Sequence, residues 1–169
     1  MAILNWIPEK SVPDGMKITQ VYGLVFDQNG RLILYSKIKN GKRMYCFAGG
    51  TPESFDDGIV STLKRELYEE INVTIKNNIH YLGYQYVDEE NGKPPYAQVR
   101  MAAMLDSVGE KRPDPDNGET YDRVLVSPNK AKELLGWGDN GARLIDSGVK
   151  IAKKEFGISI IEDDEEIWI

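Results

Sequence analysis

Short stretches in which hydrophobic and polar residues alternate, separated by polar turns, are the main pattern of this chain and predict β-strands. The first stretch covers residues 17–25 and ends near Asn29-Gly30, and residues 31–36 are the expected returning strand. Asn-Gly favours a tight hairpin because both residues of that turn adopt positive φ. A second Asn-Gly dipeptide, Asn40-Gly41, precedes a further short strand. The same criteria predict strands at residues 43–47, 80–87, 97–105 and 123–126.

A different period, with hydrophobic residues four positions apart, occupies residues 57–71 and predicts an amphipathic helix. Ile59, Leu63 and Leu67 supply its buried side. The preceding Gly49-Gly50 opens the loop that leads into this helix.

Two more helices are predicted late in the chain, starting near Ser127 and Asn140, because both residue types favour the N-cap position. The last helix is expected to stop at Gly157. Hairpin strands followed by late helices predict an α/β class, either α+β or a layered α/β/α sandwich with a mixed sheet. The regular strand-helix alternation of a doubly wound fold is absent.

The order of elements indicates one domain at residues 17–157 with a short extension at each end. Residues 1–16 contain two prolines and predict an irregular lead-in that Trp6 pins to the core. Residues 158–169 form an acidic tail that we expect to be largely solvated, with Trp168 as its docking point. No repeat or interdomain linker is evident.

The charge balance narrows the class of partner. A net charge of −6 argues against nucleic-acid polymers and anionic membranes as partners, because the protein has no general field that attracts polyphosphate chains. A small anionic substrate stays compatible with this charge if a bound metal inverts the local field.

The lone cysteine, Cys46, excludes an internal disulfide. No leader or membrane span is recognised, so a cytoplasmic protein is expected.

The candidate chemistry lies in residues 65–70, Arg-Glu-Leu-Tyr-Glu-Glu. On a helix, Glu66 is next to both Glu69 and Glu70, and each exposed like-charge pair costs a few tenths of a kcal/mol. A divalent cation removes that repulsion, and carboxylate oxygens suit Mg²⁺ or Mn²⁺. Arg65, one turn before Glu69, is placed to orient its carboxylate. Taken alone, the pattern also fits a solvated helix face without a site.

Together with the segment before it, this helix resembles the Nudix box of the Nudix (MutT-like) hydrolases. Residues 45–53, Tyr-Cys-Phe-Ala-Gly-Gly-Thr-Pro-Glu, precede residues 65–73, Arg-Glu-Leu-Tyr-Glu-Glu-Ile-Asn-Val. The family pattern is G-x5-E-x7-R-E-U-x-E-E-x-G-U, with U a bulky aliphatic residue, and residues 65–73 match it in register except at Asn72. Asparagine tolerates the left-handed conformation that glycine supplies after a helix. The resemblance covers residues 17 to about 157 and implies a Nudix-type α/β/α sandwich.

The loop departs from the box at two positions. Thr51 stands where the first box glycine is expected, so the loop carries a one-residue insertion after Gly50. Glu53 then matches the acid often found three residues after that glycine, and the middle acid of the box falls on Asp57. The insertion leaves open which of Asp56 and Asp57 takes the role of that middle acid.

The resemblance implies hydrolysis of a nucleoside diphosphate linked to another group X, through attack of water on phosphorus. Glu66, Glu69 and Glu70 are then the ligands of Mg²⁺ or Mn²⁺, and bound metal lowers the pKa of a bound water. Glu66, supported by Arg65, is alternatively the general base, since family members differ on this point.

Further residues are candidates for the substrate and for an additional metal ligand. The expected substrate-contacting set, drawn from the glycine loop and nearby cations, is Gly49, Gly50, Glu53, Asp57, Lys37, Lys42, Arg43 and Arg100. The acids beyond the box that could join the metal site are Glu110, Glu119 and Asp122. The sequence does not choose among them, and each also fits an exposed surface charge.

Two alternatives stay open. The chain could be a catalytically silent Nudix-fold module that senses a nucleotide or mediates an interaction, or the helix could carry no site. Nucleoside triphosphates, canonical or oxidised, and nucleotide sugars all remain candidate substrates. Dimerisation is common in the family, but no surface stripe here points to a homodimer.

Overall fold

The computed structural model describes all 169 residues. Its strands are β1 (Ile3–Pro8), β2 (Lys17–Phe26), β3 (Leu32–Lys39), β4 (Lys42–Cys46), β5 (Gly49–Gly50), β6 (Val73–Ile75), β7 (His80–Asp88), β8 (Tyr96–Val108), β9 (Asp122–Val126) and β10 (Ile167–Trp168). Its helices are α1 (Ile59–Ile71), α2 (Pro128–Leu135) and α3 (Gly138–Glu155). The predicted strands and helices are therefore present, and strands β1, β5, β6 and β10 are additions.

The strands form one mixed sheet, in the order β1-β7-β8-β2-β3-β9-β10, with β4 on β3, β5 on β2 and β6 on β8. The β2–β8 pair is parallel, whereas the other pairs are antiparallel. Helix α1 covers one face and packs on a core cluster that includes Leu63, Leu67 and Val21. Helices α2 and α3 cover the other face, where Leu144 and Ile145 pack on a second cluster. The arrangement is the predicted α/β/α sandwich.

The two Asn-Gly turns have different outcomes. Asn40 and Gly41 have φ of 52° and 75°, and β3 and β4 continue in register on both sides of the turn, as the hairpin prediction required. At Asn29-Gly30 the chain does reverse, but β2 and β3 pair only at Phe26 and Leu32 and then diverge. Strand β4 pairs with β3 and the following β5 pairs with β2. The hairpin predicted at Asn29-Gly30 is therefore confirmed only at its turn.

The prediction of an irregular lead-in was wrong for residues 3–8. These residues form β1, an edge strand that pairs with β7 over six consecutive residues. Only Trp6 of this strand is buried, so the alternation that signals a half-buried strand is absent from the sequence. Backbone hydrogen bonds to β7 hold the segment, while Trp6 pins it to the core as expected.

Of the two predicted starts of the late helices, the one at Ser127 is confirmed and the one near Asn140 is corrected. The hydroxyl of Ser127 accepts a hydrogen bond from the amide of Lys130 at 3.0 Å, so Ser127 caps α2 as predicted. Helix α3 begins at Gly138 instead, because Asn140 is engaged elsewhere. Its side chain accepts from the amide of Trp6 at 3.2 Å and donates to the carbonyl of Leu4 at 2.7 Å, so it fastens β1 to α3.

The acidic tail docks through Trp168 as expected and is held at Asp163 as well, while most of its other residues are exposed. Arg31, whose side chain is only 4% exposed, donates to both carboxylate oxygens of Asp163 at 2.8 and 2.7 Å. Residues 167–168 then add to β9 as strand β10, and Trp168 stacks near the guanidinium of Arg43 at 4.9 Å. The tail docks at this point because the guanidinium of Arg31, which is buried just before β3, requires a carboxylate to compensate its charge. No helix in the structure combines the length and apolar character needed to cross a membrane.

Candidate active site

Arg65, in the middle of α1, is the centre of a hydrogen-bonded network that joins this helix to the loop before it. Its guanidinium donates to both carboxylate oxygens of Asp56, each at 3.0 Å, and to the carbonyl of Thr51 at 3.0 Å. It also donates to Glu66 at 2.9 Å and to Glu69 at 3.1 Å. One rigid donor fork therefore fixes the loop and two acids of the helix together.

The loop acid that contacts Arg65 is Asp56, and Asp57 points into solvent with no hydrogen bond. Asp56 also accepts from the amide of Glu53 at 2.9 Å and from the hydroxyl of Thr62 at 2.8 Å. The Arg65 guanidinium beside Asp56 holds the pKa of that carboxyl far below its usual range. The one-residue insertion at Thr51 is the sequence signal for this shift of register.

Three carboxylates converge at one point of the surface. Oxygens of Glu66, Glu69 and Asp116 all lie within 4.8 Å of one another. Glu66 is buried, Glu69 is half-buried and Asp116 is exposed, so the cluster opens to solvent on one side. Hard oxygen ligands at this spacing fit a divalent cation such as Mg²⁺ or Mn²⁺.

Asp116 was missed by the sequence reasoning, which named three other acids. Asp122 is instead paired with Arg43 at 3.1 Å and with Lys111 at 3.0 Å. Glu119 lies 3.9 Å from Lys37, and Glu110 is held through its carbonyl, which accepts from the side chain of Asn72. The available signal was the turn sequence Asp-Pro-Asp-Asn-Gly at residues 114–118, in which the carboxylate of Asp114 accepts from the amide of Asp116 at 2.9 Å.

Glu70 lies outside the group of three and faces the glycine loop. Its carboxylate accepts a hydrogen bond from the amide of Gly49 at 3.1 Å. Burial raises the pKa of Glu70 to about 8, an effect that the Gly49 hydrogen bond opposes. Burial also raises the pKa of Glu66, while the hydrogen bond from Arg65 opposes the shift. Both acids are thus destabilised as anions, and a bound cation would relieve that cost.

The two loop glycines are required by close packing. A Cβ atom on Gly50 would lie 2.3 Å from the carboxyl carbon of Glu66, and one on Gly49 would lie 2.1 Å from the carbonyl oxygen of Val21. Any side chain at these positions would move Glu66 or the strand β2. The pair of glycines lets the loop lie directly against the acidic helix.

A cavity of about 340 Å³ lies between the sheet and the start of α3, and Arg100 on β8 lines it. Its guanidinium is 4% exposed and stacks 4.5 Å from the ring centroid of Tyr22. Burial lowers the pKa of Arg100 to about 10, so it stays charged at neutral pH. The other candidate cations, Lys37 and Arg43, are held by Glu119 and Asp122 and do not line this cavity.

Comparison with known proteins places the fold and the family. The family model of the NUDIX domain matches residues 16–146, which is most of the chain. A search of curated proteins finds no significant match to the sequence. Among solved structures, the pyrophosphohydrolase RppH of Bacillus subtilis is 15% identical, with a TM-score of 0.60 over 89% of this chain and 90% of that chain.

Two further solved structures agree. A MutT protein, from Aliivibrio salmonicida or Vibrio cholerae, is 15% identical, with a TM-score of 0.56 over 76% of this chain and 96% of that chain. A Nudix hydrolase from Nitrosomonas europaea is 15% identical, with a TM-score of 0.58 over 78% of this chain and 88% of that chain. Identities this low show a shared fold, while the domain match over residues 16–146 shows the family. The chain belongs to the Nudix family.

Proposed function

We propose that this protein hydrolyses a diphosphate linkage in a nucleoside diphosphate linked to a group X, with Mg²⁺ or Mn²⁺ held by Glu66, Glu69 and Asp116. The observation that carries the proposal is the convergence of those three carboxylates within 4.8 Å beside the Gly49-Gly50 loop. When bound, the metal neutralises the diphosphate and lowers the pKa of a bound water.

The protein supplies orientation. Arg65 holds one oxygen of Glu66 and one of Glu69, which leaves the second oxygen of each carboxylate to turn toward a ligand. Asp56 in turn holds Arg65, so the geometry of the acids depends on a loop residue that touches no ligand. This hierarchy is the usual way in which protein groups fix the ligands of a catalytic metal.

Glu70 has a separate role in this proposal. Its contact with the amide of Gly49 keeps the glycine loop against α1, where the diphosphate must approach. The proton acceptor of the attacking water is then Glu70, or Glu66 if Glu66 is not a metal ligand, and the two assignments differ in a measurable way. A variant that loses metal binding identifies a ligand, whereas a variant that binds metal normally but turns over slowly identifies the base.

The test is a nucleotide panel assayed for phosphate or diphosphate release with Mg²⁺, with Mn²⁺ and with EDTA. We expect turnover of at least one member that requires the metal. Glu69→Gln and Glu70→Gln should each lower kcat/KM by roughly 100-fold or more, since even residues that only support a ligand cost about 10–100-fold. Mn²⁺ binding, measured on the same proteins, separates ligands from the base.

Glu133→Gln is the matched control, because Glu133 is an exposed acid on α2 whose only partner is Lys130. It should leave kcat/KM unchanged. Turnover in EDTA, or full activity in both Glu69→Gln and Glu70→Gln, would refute the proposal. Nucleotide binding without any metal-dependent product would identify the protein as a silent sensor instead.

A further inference from the structure

Arg100 is a buried cation without an acidic partner. The cavity that it lines contains no carboxylate among its lining side chains, and no salt bridge reaches Arg100. Burying an unpaired charge is costly, so such groups are normally paired or hydrogen-bonded. By contrast, Arg31, which is equally buried, is paired with Asp163. Arg123 is equally buried and also lacks an ion pair, but it donates to the carbonyls of Ile71 and Gly109, each at 2.8 Å. Arg100 differs because it lines a cavity in which a ligand can supply the missing acceptors.

The protein uses only part of the donor capacity of Arg100. A guanidinium has five N–H groups. One terminal nitrogen donates to the side-chain oxygen of Gln98 at 3.1 Å, and the other makes a long contact of 3.4 Å to the carbonyl of Val99. The Nε atom has no partner and is fully buried. One N–H group on each terminal nitrogen is therefore without a partner, so the guanidinium has donors left for two further acceptors.

The other residues that line the cavity favour a neutral heterocycle as the ligand over an isolated anion. Gln20, Gln85 and Gln98 line the cavity, and each amide offers an acceptor oxygen as well as donors. An anion would be repelled by those amide oxygens. A nucleobase has donor and acceptor edges, so it can hydrogen-bond both to the oxygen and to the N–H groups of an amide. Trp137 also lines the cavity and is 37% exposed, so its indole offers a free surface for stacking.

The base that matches these groups is a 6-oxopurine. The O6 and N7 atoms of guanine are adjacent acceptors, and arginine binds them in a bidentate manner. Adenine presents its N6 amino donor beside N7, which would oppose a guanidinium donor. The N1–H and N2 amino donors of guanine are left for the amide oxygens. A cavity of about 340 Å³ lies within the range of small-ligand pockets.

We propose that Arg100 is a specificity-determining residue that binds O6 and N7 of a guanine-type base, so that the substrates are guanine nucleotides with an unmodified N7. The proposal rests on the proposed function for the position of the phosphates. The cavity and the acid cluster share no residue, but Tyr22, which lines the cavity, is paired across the sheet with Gly49, whose amide contacts Glu70. The proposal therefore requires the nucleotide to reach from the cavity to the acids past the Tyr22–Gly49 pair.

The test measures nucleotide binding by calorimetry in EDTA, where no turnover occurs. The ligands are GTP, ITP, ATP, 7-deaza-GTP, which has a carbon at position 7, and 8-oxo-GTP, whose N7 carries a hydrogen. The wild-type protein should bind GTP and ITP about 10–100-fold more tightly than the other three, as expected for one bidentate contact. Arg100→Lys, which keeps the charge and loses the fork, should abolish that preference while leaving the affinity for 7-deaza-GTP within about threefold.

Arg143→Lys is the matched control, since Arg143 is an exposed arginine on α3 without an ion pair, and it should bind all five ligands as the wild type does. Thermal unfolding checks that Arg100→Lys is folded. If it is not, the comparison of GTP with 7-deaza-GTP on the wild-type protein alone still decides the matter.

Three results would overturn the proposal: equal wild-type affinities for GTP and 7-deaza-GTP, no binding of any nucleotide, or an equal loss for every nucleotide in Arg100→Lys with competition by inorganic tripolyphosphate. The last result would mean that Arg100 binds phosphate. Failure of the proposed function is seen separately. A preference for GTP without metal-dependent hydrolysis would refute the proposed function and support guanine recognition by Arg100. Metal-dependent hydrolysis without that preference would support the proposed function and refute guanine recognition.

Discussion

Replacing Arg65 by glutamine tests whether the network that joins α1 to the preceding loop is a buried structural unit or a set of weak surface contacts. The side chain of Arg65 is 17% exposed, and those of Asp56, Glu66 and Glu69 are 4%, 10% and 27% exposed. Exposed ion pairs contribute about 0–1 kcal/mol, whereas removing one partner of a buried pair costs about 3–5 kcal/mol. Because one side of the network is exposed to solvent, we expect the free energy of unfolding to fall by about 3 kcal/mol, the lower end of the range for buried ion pairs.

The assay is urea unfolding in EDTA, followed by tryptophan fluorescence. With a slope of about 2 kcal/mol per molar urea, a loss of about 3 kcal/mol lowers the midpoint by about 1.5 M. Arg65→Lys should lose less, because it keeps the charge but forfeits the fork. In an Asp56→Asn background, Arg65→Gln should cost clearly less than it does alone, since the two residues act in one network. A loss below about 0.5 kcal/mol for Arg65→Gln would refute the reasoning.

Two further predictions follow from single contacts. Gly50→Ala should weaken Mg²⁺ binding and lower the rate of hydrolysis by about 10–100-fold, because the added methyl group displaces the carboxylate of Glu66, while thermal unfolding confirms an intact fold; an unchanged Mg²⁺ affinity would contradict this. Asp163→Asn should lower the urea midpoint at pH 7, since the bond from Arg31 lowers the pKa of Asp163. A lowered pKa stabilises the fold above the ordinary aspartate pKa of about 3.9 and loses that effect as pH falls through the lowered value. The wild-type advantage should therefore be lost progressively as the pH falls below about 4, and equal midpoints at pH 7 would count against the tail contact.

Much of the fold could be predicted because it depends on local rules. The helix at residues 59–71 follows from hydrophobic residues four apart, and Asn72 ends it with φ of 51° in the left-handed conformation, as its residue type favours. The Asn40-Gly41 turn and the Ser127 cap are likewise settled within a few residues of sequence. Edge strand β1 escaped prediction because its hydrogen bonds are made to β7, about 80 residues away, and its side chains are mostly exposed.

The same division applies to the candidate site. The spacing of Glu66, Glu69 and Glu70 on one helix determines that the acids are neighbours, whatever the rest of the chain does. Tertiary structure decides which of them converge, and it adds Asp116 from a loop some 50 residues further along the chain. It also selects Asp56 over Asp57, because only the folded loop shows which carboxylate reaches Arg65.

Arg100 marks the limit of the sequence most clearly. A lone arginine on a predicted strand reads equally well as a surface charge or a ligand contact, and nothing near it in sequence distinguishes the two. Its burial, its stacking on Tyr22 and its lack of a carboxylate arise only when β2, β8 and α3 close around one cavity. Most strands and helices, the family resemblance and the acidic helix could be predicted from the sequence, because short-range backbone preferences and periodicity fix those features; strand β1 and the start of α3 could not. The tertiary structure alone decided the ligand set and the unpaired cation, because burial and charge compensation are properties of segments that are distant in the chain.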